Sequence, residues 1–188
     1  MQATMEKEKA FVLDPEKRYE IINDQPEEKE MPGAKHGIIA MRLAIRLGGF
    51  IETHQLGVAS TEANFKIGQR ERIPDLSFVA AARIPAAGVP EGVWPVPPDL
   101  AIEIVSPNDL HEKVSNKVLD YLDAGVKQVW LVSLENQIVT IFRSLDEVRV
   151  IRGENELTSE DLLPGFRCKL SDIFAAPVAA QPKNSILT

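Results

Sequence analysis

The chain has 188 residues, of which 44% are hydrophobic and 26% are charged, as in an ordinary globular protein. Its formal net charge of −7 argues against a protein that coats nucleic acid through bulk electrostatics, so a DNA-binding surface would have to be a local patch. The single cysteine, Cys168, excludes an intrachain disulfide and a cysteine-based zinc cluster. With no run of about 20 apolar residues and with a charged first segment, the chain is predicted to be cytoplasmic and to lack a membrane-spanning helix.

The predicted organisation is a single α/β domain over residues 15–175, between two flexible ends, 1–14 and 176–188. In chain order, the hydrophobic patterns predict a strand and turn over 19–24, a helix that follows Pro32 and Gly33 and ends at Gly48 and Gly49, strands over 58–67 and 73–80, a loop over 84–98, a strand over 100–105, a helix from about 110 to 124, a strand over 126–132, and a hairpin of 138–143 with 148–151. This order predicts a mixed central sheet flanked by helices, with an additional C-terminal β-hairpin.

Two local features carry more specific expectations. The loop over 84–98 is rich in proline, glycine and alanine, and a loop of that length is either a functional flap or a tolerated surface insertion. Asp109 is expected to cap the helix that follows it, with Glu112 completing a capping box, and Gly125 is expected to supply the left-handed exit.

The most informative residue is Glu103, a carboxylate inside the apolar strand pattern of residues 100–105. A buried carboxylate is costly unless it is paired or bound to a metal, so either a structural salt bridge or a metal site explains it. Asp75 follows Pro74 at the start of the preceding predicted strand, and the two side chains are expected to converge on one ion. Hard oxygen ligands of this kind suit Mg²⁺ or Mn²⁺, which bind phosphate oxygens and promote phosphodiester hydrolysis.

A cation is expected to complete this site by holding the phosphate or orienting the attacking water. Lys113 and Lys117 lie one turn apart on the helix after the Glu103 strand, and so on one face. Lys117 lies deeper in the helix and is the predicted catalytic lysine, whereas Lys113 is expected to face solvent. A local basic patch for DNA is predicted from the cluster Lys66, Arg70, Arg72 and Arg83.

At these residues the chain resembles the Uma-type putative restriction-endonuclease family, once catalogued as a domain of unknown function, within the PD-(D/E)XK nuclease superfamily. The resemblance runs from about Tyr19 to Phe174 and is carried by the order and spacing of short motifs: YEII at 19–22 with His36, RIPDLSFV at 72–79, PPDLAIEIVSPND at 97–109, KVLDYLDAGV at 117–126, VWLV at 129–132, LLPGF at 162–166 and IF at 173–174.

The resemblance implies a restriction-endonuclease-like fold and a metal-dependent endonuclease acting on DNA. Asp75 matches the aspartate of the superfamily motif, Glu103 the second acid, and Lys117 the helix lysine of the family. By the same resemblance, the backbone carbonyl of Ile104 is a further metal ligand beside Asp75 and Glu103.

The chain departs from the superfamily pattern at two positions. Val105 stands where the superfamily has a lysine, and the inner face of the first helix lacks the glutamate that it often contributes; Glu20, His36 or Glu62 could substitute. These departures leave a second interpretation open, a catalytically inactive relative that binds nucleic acid or a protein partner. A serine hydrolase is disfavoured because no G-x-S-x-G turn is present.

The predicted hairpin of 138–143 and 148–151 has apolar positions on both faces. Because an isolated hairpin is only marginally stable, it is expected to pack against the same element of a second copy, which predicts a two-fold homodimer.

Overall fold

The computed structural model of the chain describes residues 13–29, 31–107 and 109–176. In chain order, its elements are β1 (Tyr19–Ile22), β2 (Gln25–Glu28), α1 (Ala34–Thr53), β3 (Gly57–Thr61), β4 (Phe65–Ile67), β5 (Arg70–Arg72), β6 (Leu76–Ala80), β7 (Leu100–Val105), α2 (His111–Asp123), β8 (Gln128–Ser133), β9 (Ile138–Phe142), β10 (Val148–Ile151), β11 (Glu156–Ser159), β12 (Leu163–Lys169) and α3 (Leu170–Phe174). The predicted flexible ends, 1–14 and 176–188, lie almost wholly outside the described residues, and the single domain over 15–175 stays a prediction.

The central feature is a six-stranded sheet in the order β10-β9-β8-β7-β6-β3. β7 and β8 run parallel and are joined through α2, because parallel neighbours need a crossover connection, whereas the other neighbouring pairs run antiparallel. A four-stranded sheet, β2-β1-β5-β4, and the pair β11-β12 complete the described strands. The predicted mixed α/β architecture is therefore confirmed.

Helix α1 packs on one face of the central sheet. Its buried residues Ile39, Leu43, Leu47 and Ile51 recur every four positions and join the core that includes β7. The prediction that this helix ends at its two adjacent glycines was wrong, since it continues to Thr53. Burying one large aliphatic side chain stabilises by about 1.5–3 kcal/mol. The side chains on either side of the glycines therefore outweigh a cost of about 0.5–1 kcal/mol for each glycine.

The opposite face of the sheet is covered by α2 and by the loop over 84–98. Val118 and Tyr121 of α2 pack there with Phe65 and Trp94. Trp94 is buried, stacks on Phe65 at a centroid distance of 5.8 Å and donates its backbone N–H to the Asn64 carbonyl. The middle of the loop is therefore anchored in the core, which favours a packed insertion over a movable flap.

Of the two strands predicted before this loop, the first is divided and the second is shorter than predicted. Residues 58–67 form β3 in the central sheet and β4 in the four-stranded sheet, and the chain turns between them at Glu62, whose φ is +50°. Residues 73–80 contribute only β6, because the chain passes from β5 to β6 through Ile73-Pro74-Asp75 and proline cannot donate to a strand ladder.

The start of α2 differs from the prediction. The residue before the helix is Leu110, no side chain caps the helix, and Asp109 instead accepts a hydrogen bond from the Ser106 N–H at 2.6 Å. Asp109 lies one residue too early to cap, so its carboxylate closes the turn after β7. Gly125 has a φ of +87°, which confirms the left-handed exit.

The hairpin predicted at 138–143 and 148–151 forms as β9 and β10. It is not an isolated element, because β9 pairs with β8 and the hairpin continues the central sheet. The hairpin is therefore stabilised within the chain and does not require a second copy, so the homodimer needs other support. No helix of the described ranges has both the length and the apolar composition needed to cross a bilayer.

Candidate active site

The two candidate metal-binding carboxylates lie across from each other at one end of the central sheet. The antiparallel register of β6 and β7 pairs Leu76 with Ile102, so Asp75, one residue before β6, lies opposite Glu103. Asp75 and Glu103 are only 4% and 7% exposed. The Ile104 N–H donates to Asp75 Oδ2 at 2.7 Å, which ties the residue after Glu103 directly to Asp75.

Asp75 is surrounded by hydrogen-bond donors. Lys29 Nζ lies 2.9 Å from Oδ1, and His36 Nε2 donates to Oδ2 at 3.0 Å. Burial of Asp75 opposes its negative charge, but the His36 hydrogen bond, Lys29 and the Ile104 N–H outweigh burial and hold the pKa of the carboxyl well below its usual range. Asp75 is therefore an anion at neutral pH, as a ligand for a hard cation must be.

Glu103 is held from α2, the helix that follows its own strand. Lys117 Nζ lies 3.0 Å from Oε2, and the Tyr121 hydroxyl donates to Oε1 at 2.6 Å. Burial raises the pKa of Glu103 above its usual value; the positive charge of Lys117 lowers it, and the negative charge of nearby Asp75 raises it further. Two acids so close together in a buried site call for positive charge between them.

Lys117 stands between two carboxylates. Its Nζ lies 3.0 Å from Glu103 Oε2 and 3.1 Å from Glu20 Oε1 of β1. Burial alone would lower the pKa of Lys117, but the charges of Glu103 and Glu20 raise it above its usual value, so the side chain stays an ammonium. Lys113, one turn earlier, is exposed and lies 4.0 Å from Glu27.

Next to the site, Arg72 forms a buried network with the carboxylates of Glu20 and Asp120. Arg72 Nη1 donates to Glu20 Oε2 at 2.8 Å, and Arg72 Nε donates to Asp120 Oδ2 at 3.0 Å. The second oxygen of Glu20 accepts the Ile73 N–H at 3.0 Å. Arg72 therefore fixes the strand that leads to Asp75 against β1 and α2.

This network corrects the predicted basic patch. Arg72 is 6% exposed and belongs to the interior, not to a DNA-facing surface. Arg70 is partly exposed and pairs with Asp120, and Arg83 Nη1 lies 3.2 Å from Asp99 Oδ2. Lys66 on β4 is exposed. These three arginines therefore form ion pairs with carboxylates of the same chain.

Arg72→Met should destabilise the protein by about 3 kcal/mol, because it leaves two buried carboxylates without their shared partner. The loss is expected at the lower end of the range for broken buried pairs, since Arg70 still pairs with Asp120 and Lys117 with Glu20. Equilibrium urea unfolding measures the change. The control is Arg167→Met, which removes an exposed ion pair with Glu156. It should change the free energy of unfolding by less than about 0.5 kcal/mol. Equal effects of the two substitutions would contradict the structural role of Arg72.

The donor set fits a hard divalent cation that keeps several waters. Among the described residues, no group of three or more His, Cys, Asp and Glu side chains gathers as a candidate cage for a metal ion. Mg²⁺ and Mn²⁺ do not require one, since one or two carboxylates with waters and substrate phosphates suffice. Asp75 and Glu103 provide such a pair, whereas a structural zinc site would need four protein ligands.

Sequence patterns missed two of the residues at this site. Lys29 follows β2, a strand without an apolar pattern, and nothing in the sequence links it to Asp75. Tyr121 lies one helical turn after Lys117, so its place beside Glu103 could have been inferred from the helix period. Of the proposed substitutes for the missing glutamate, Glu20 and His36 contact site residues, while Glu62 pairs with Arg18.

Comparison with known protein families matches residues 6–171 of the chain to Uma2, described as "Putative restriction endonuclease". The chain belongs to the Uma2 family. Among solved structures, the chain is similar to a putative nuclease belonging to DUF820 from Anabaena variabilis ATCC 29413, at 24% sequence identity and a TM-score of 0.78. The similarity covers 87% of this chain and 93% of that chain, and at this identity it shows the fold. No curated protein matches the chain significantly.

Proposed function

We propose that this Uma2-family chain is a Mg²⁺- or Mn²⁺-dependent endonuclease that hydrolyses phosphodiester bonds of DNA. The observation that carries the proposal is the pair of buried carboxylates, Asp75 and Glu103, across neighbouring strands with the ammonium of Lys117 beside them. An apolar pair of the same size would stabilise a sheet at lower cost, so this arrangement of charge favours a chemical role.

Asp75, Glu103 and the carbonyl of Ile104 would hold the ion. When bound, the ion would supply a Lewis acid that lowers the pKa of its water and stabilises the leaving oxygen. Tyr121 donates to one oxygen of Glu103 and so fixes the orientation of the carboxylate. Lys117 would turn from Glu103 to a non-bridging phosphate oxygen, while Glu20 keeps its ammonium within the site.

DNA is the proposed partner, through Lys66, Arg70 and Arg83 of the predicted patch, without the buried Arg72. We also propose that the protein acts as a homodimer in the cytoplasm. A two-fold dimer offers one site to each strand of a DNA duplex, whose two strands are themselves related by approximate two-fold symmetry.

A catalytically inactive protein that binds nucleic acid or a protein partner is the alternative. It is favoured by the number of protein groups that already satisfy Asp75, namely Lys29, His36 and the Ile104 N–H. It is also favoured by Val105 at the position of the superfamily lysine.

The deciding experiment incubates the purified chain with supercoiled plasmid and Mg²⁺ or Mn²⁺, with and without a chelator. Conversion to nicked or linear plasmid that stops on chelation supports the nuclease, and an intact plasmid with both ions supports the inactive relative. Crystals soaked in Mn²⁺ should give density between Asp75 and Glu103 in the first case.

A further inference from the structure

The outer face of α1 is apolar, although it points away from the core. Ile38, Met41 and Ile45 project from this face and are 41%, 61% and 63% exposed. The opposite face of the same helix is buried against the central sheet. A helix that is apolar on two opposite faces is normally covered on both.

The spacing on this face is that of a helix–helix contact. Residues 38, 41, 45 and 48 are separated by three, four and three positions, which is the a and d pattern of a coiled-coil seam. The last of these positions is Gly48, and a Cβ atom added there or at Gly49 would meet nothing within 4 Å. The seam is therefore bulky at its N-terminal end and bare at its C-terminal end.

We propose that this outer face of α1 binds the same face of a second copy of the chain, with the two helices antiparallel about a two-fold axis. In this arrangement Met41 packs against the partner's Ile45, and Ile38 enters the open space at the partner's Gly48. A parallel arrangement would set the bare ends against each other and leave a gap, which costs stability.

The charges at the ends of the helix fit the same arrangement. Lys35 is exposed near the N-terminal end of α1, and Glu52 is exposed near its C-terminal end. Neither takes part in the ion pairs formed by the described residues. Antiparallel helices bring Lys35 next to the partner's Glu52 twice in the dimer, whereas parallel helices would bring like charges together. The sizes of the side chains along the seam and the charges at its ends thus favour a second copy of this chain as the partner that binds this face.

This interface is independent of the nuclease proposal and lies away from the β9–β10 hairpin, to which the sequence assigned the contact. The hairpin also has exposed valines, Val148 and Val150, at 45% and 52%. It therefore provides a matched control, an exposed apolar position on another surface of the same chain.

Sedimentation equilibrium of the full chain at micromolar concentration tests the proposal. The wild type should have the mass of a dimer, and Met41→Glu should raise the dissociation constant by about 100-fold or more, since the substitution acts twice at the centre of the seam. Val150→Glu should leave the dissociation constant unchanged. Far-ultraviolet circular dichroism should show both variants folded, because both side chains are exposed in the single chain.

A charge exchange tests the orientation of the helices. Lys35→Glu and Glu52→Lys should each weaken the dimer, and the double variant should regain the wild-type dissociation constant. A monomeric wild-type protein would overturn the proposal. That result would also be obtained if residues 177–188 of the same chain covered this face in place of a second copy. Dissociation by Val150→Glu but not by Met41→Glu would overturn it in favour of the hairpin, and a double variant weaker than either single one would exclude antiparallel helices.

Discussion

Asp75→Asn should abolish metal-dependent plasmid cleavage, with a loss of about three orders of magnitude or more in rate. The asparagine keeps the size of the side chain but removes the charge that would attract the ion, and a bound metal contributes several kcal/mol to stabilising the transition state. Mn²⁺ affinity measured by calorimetry should fall together with the rate. Asn is preferred over Ala because Lys29 and His36 both contact Asp75 and would face a cavity in the alanine variant.

The control for this substitution is Asp146→Asn, at an exposed position of the turn between β9 and β10. It makes the same chemical change and should leave the cleavage rate and the metal affinity unaltered. A full rate in the Asp75 variant would refute the metal site, and a lost rate with unchanged Mn²⁺ affinity would remove Asp75 from the ligands. Thermal unfolding of each variant separates a lost site from a lost fold.

Lys117→Ala should lower the cleavage rate by about two orders of magnitude or more while Mn²⁺ affinity is retained. The ammonium would stabilise negative charge that develops on the phosphoryl oxygens, and such groups contribute about 2.7–4 kcal/mol in sites that exclude water. Cleavage kinetics at saturating Mn²⁺, with calorimetry alongside, measure the two effects separately. The expected pattern is therefore opposite to that of Asp75→Asn, which lowers both.

Lys113→Ala is the matched control, because Lys113 is on the same helix one turn earlier and is exposed. It should leave the rate unchanged. A larger loss for the Lys113 variant would show that the catalytic lysine has been misassigned. Wild-type rates in both variants would show that neither lysine takes part in the cleavage step.

The acids and the helix lysine of the candidate site could be predicted because each one interrupts a regular pattern. Glu103 is a charge inside an apolar strand, Asp75 follows a proline at the start of another, and Lys117 occupies a defined position in a helical period. These signals are local in the sequence. The two acids meet because β6 and β7 are consecutive strands that pair, and α2, which connects β7 to β8, brings Lys117 to Glu103.

The remaining parts of the site depend on long-range contacts that a sequence pattern does not contain. The sequence predicts Arg72 in a surface patch, but its partners Glu20 and Asp120 lie 52 and 48 residues away and hold it in the interior. Lys29, the residue after the mostly exposed strand β2, contacts Asp75 across 46 residues of sequence. Polar strands such as β2 are recognised only after their partners are known.

The length of α1 was mispredicted for a related reason. Glycines are local signals that usually end a helix, but here Leu47 and Ile51 gain more from the core than Gly48 and Gly49 cost. The outer face of the same helix has a regular apolar pattern as well, and in the sequence alone this pattern indicates only a helix.

The ion pairs around the site also have a consequence for how the protein is made. Four acids, Glu20, Asp75, Glu103 and Asp120, are matched by four basic side chains, Lys29, Arg70, Arg72 and Lys117. A newly synthesised chain therefore carries its own counter-charges and would reach its folded state without an ion from the cell. Biosynthesis under metal starvation should accordingly yield folded protein that can be loaded with Mg²⁺ afterwards, unlike a zinc finger, which needs its metal in order to fold.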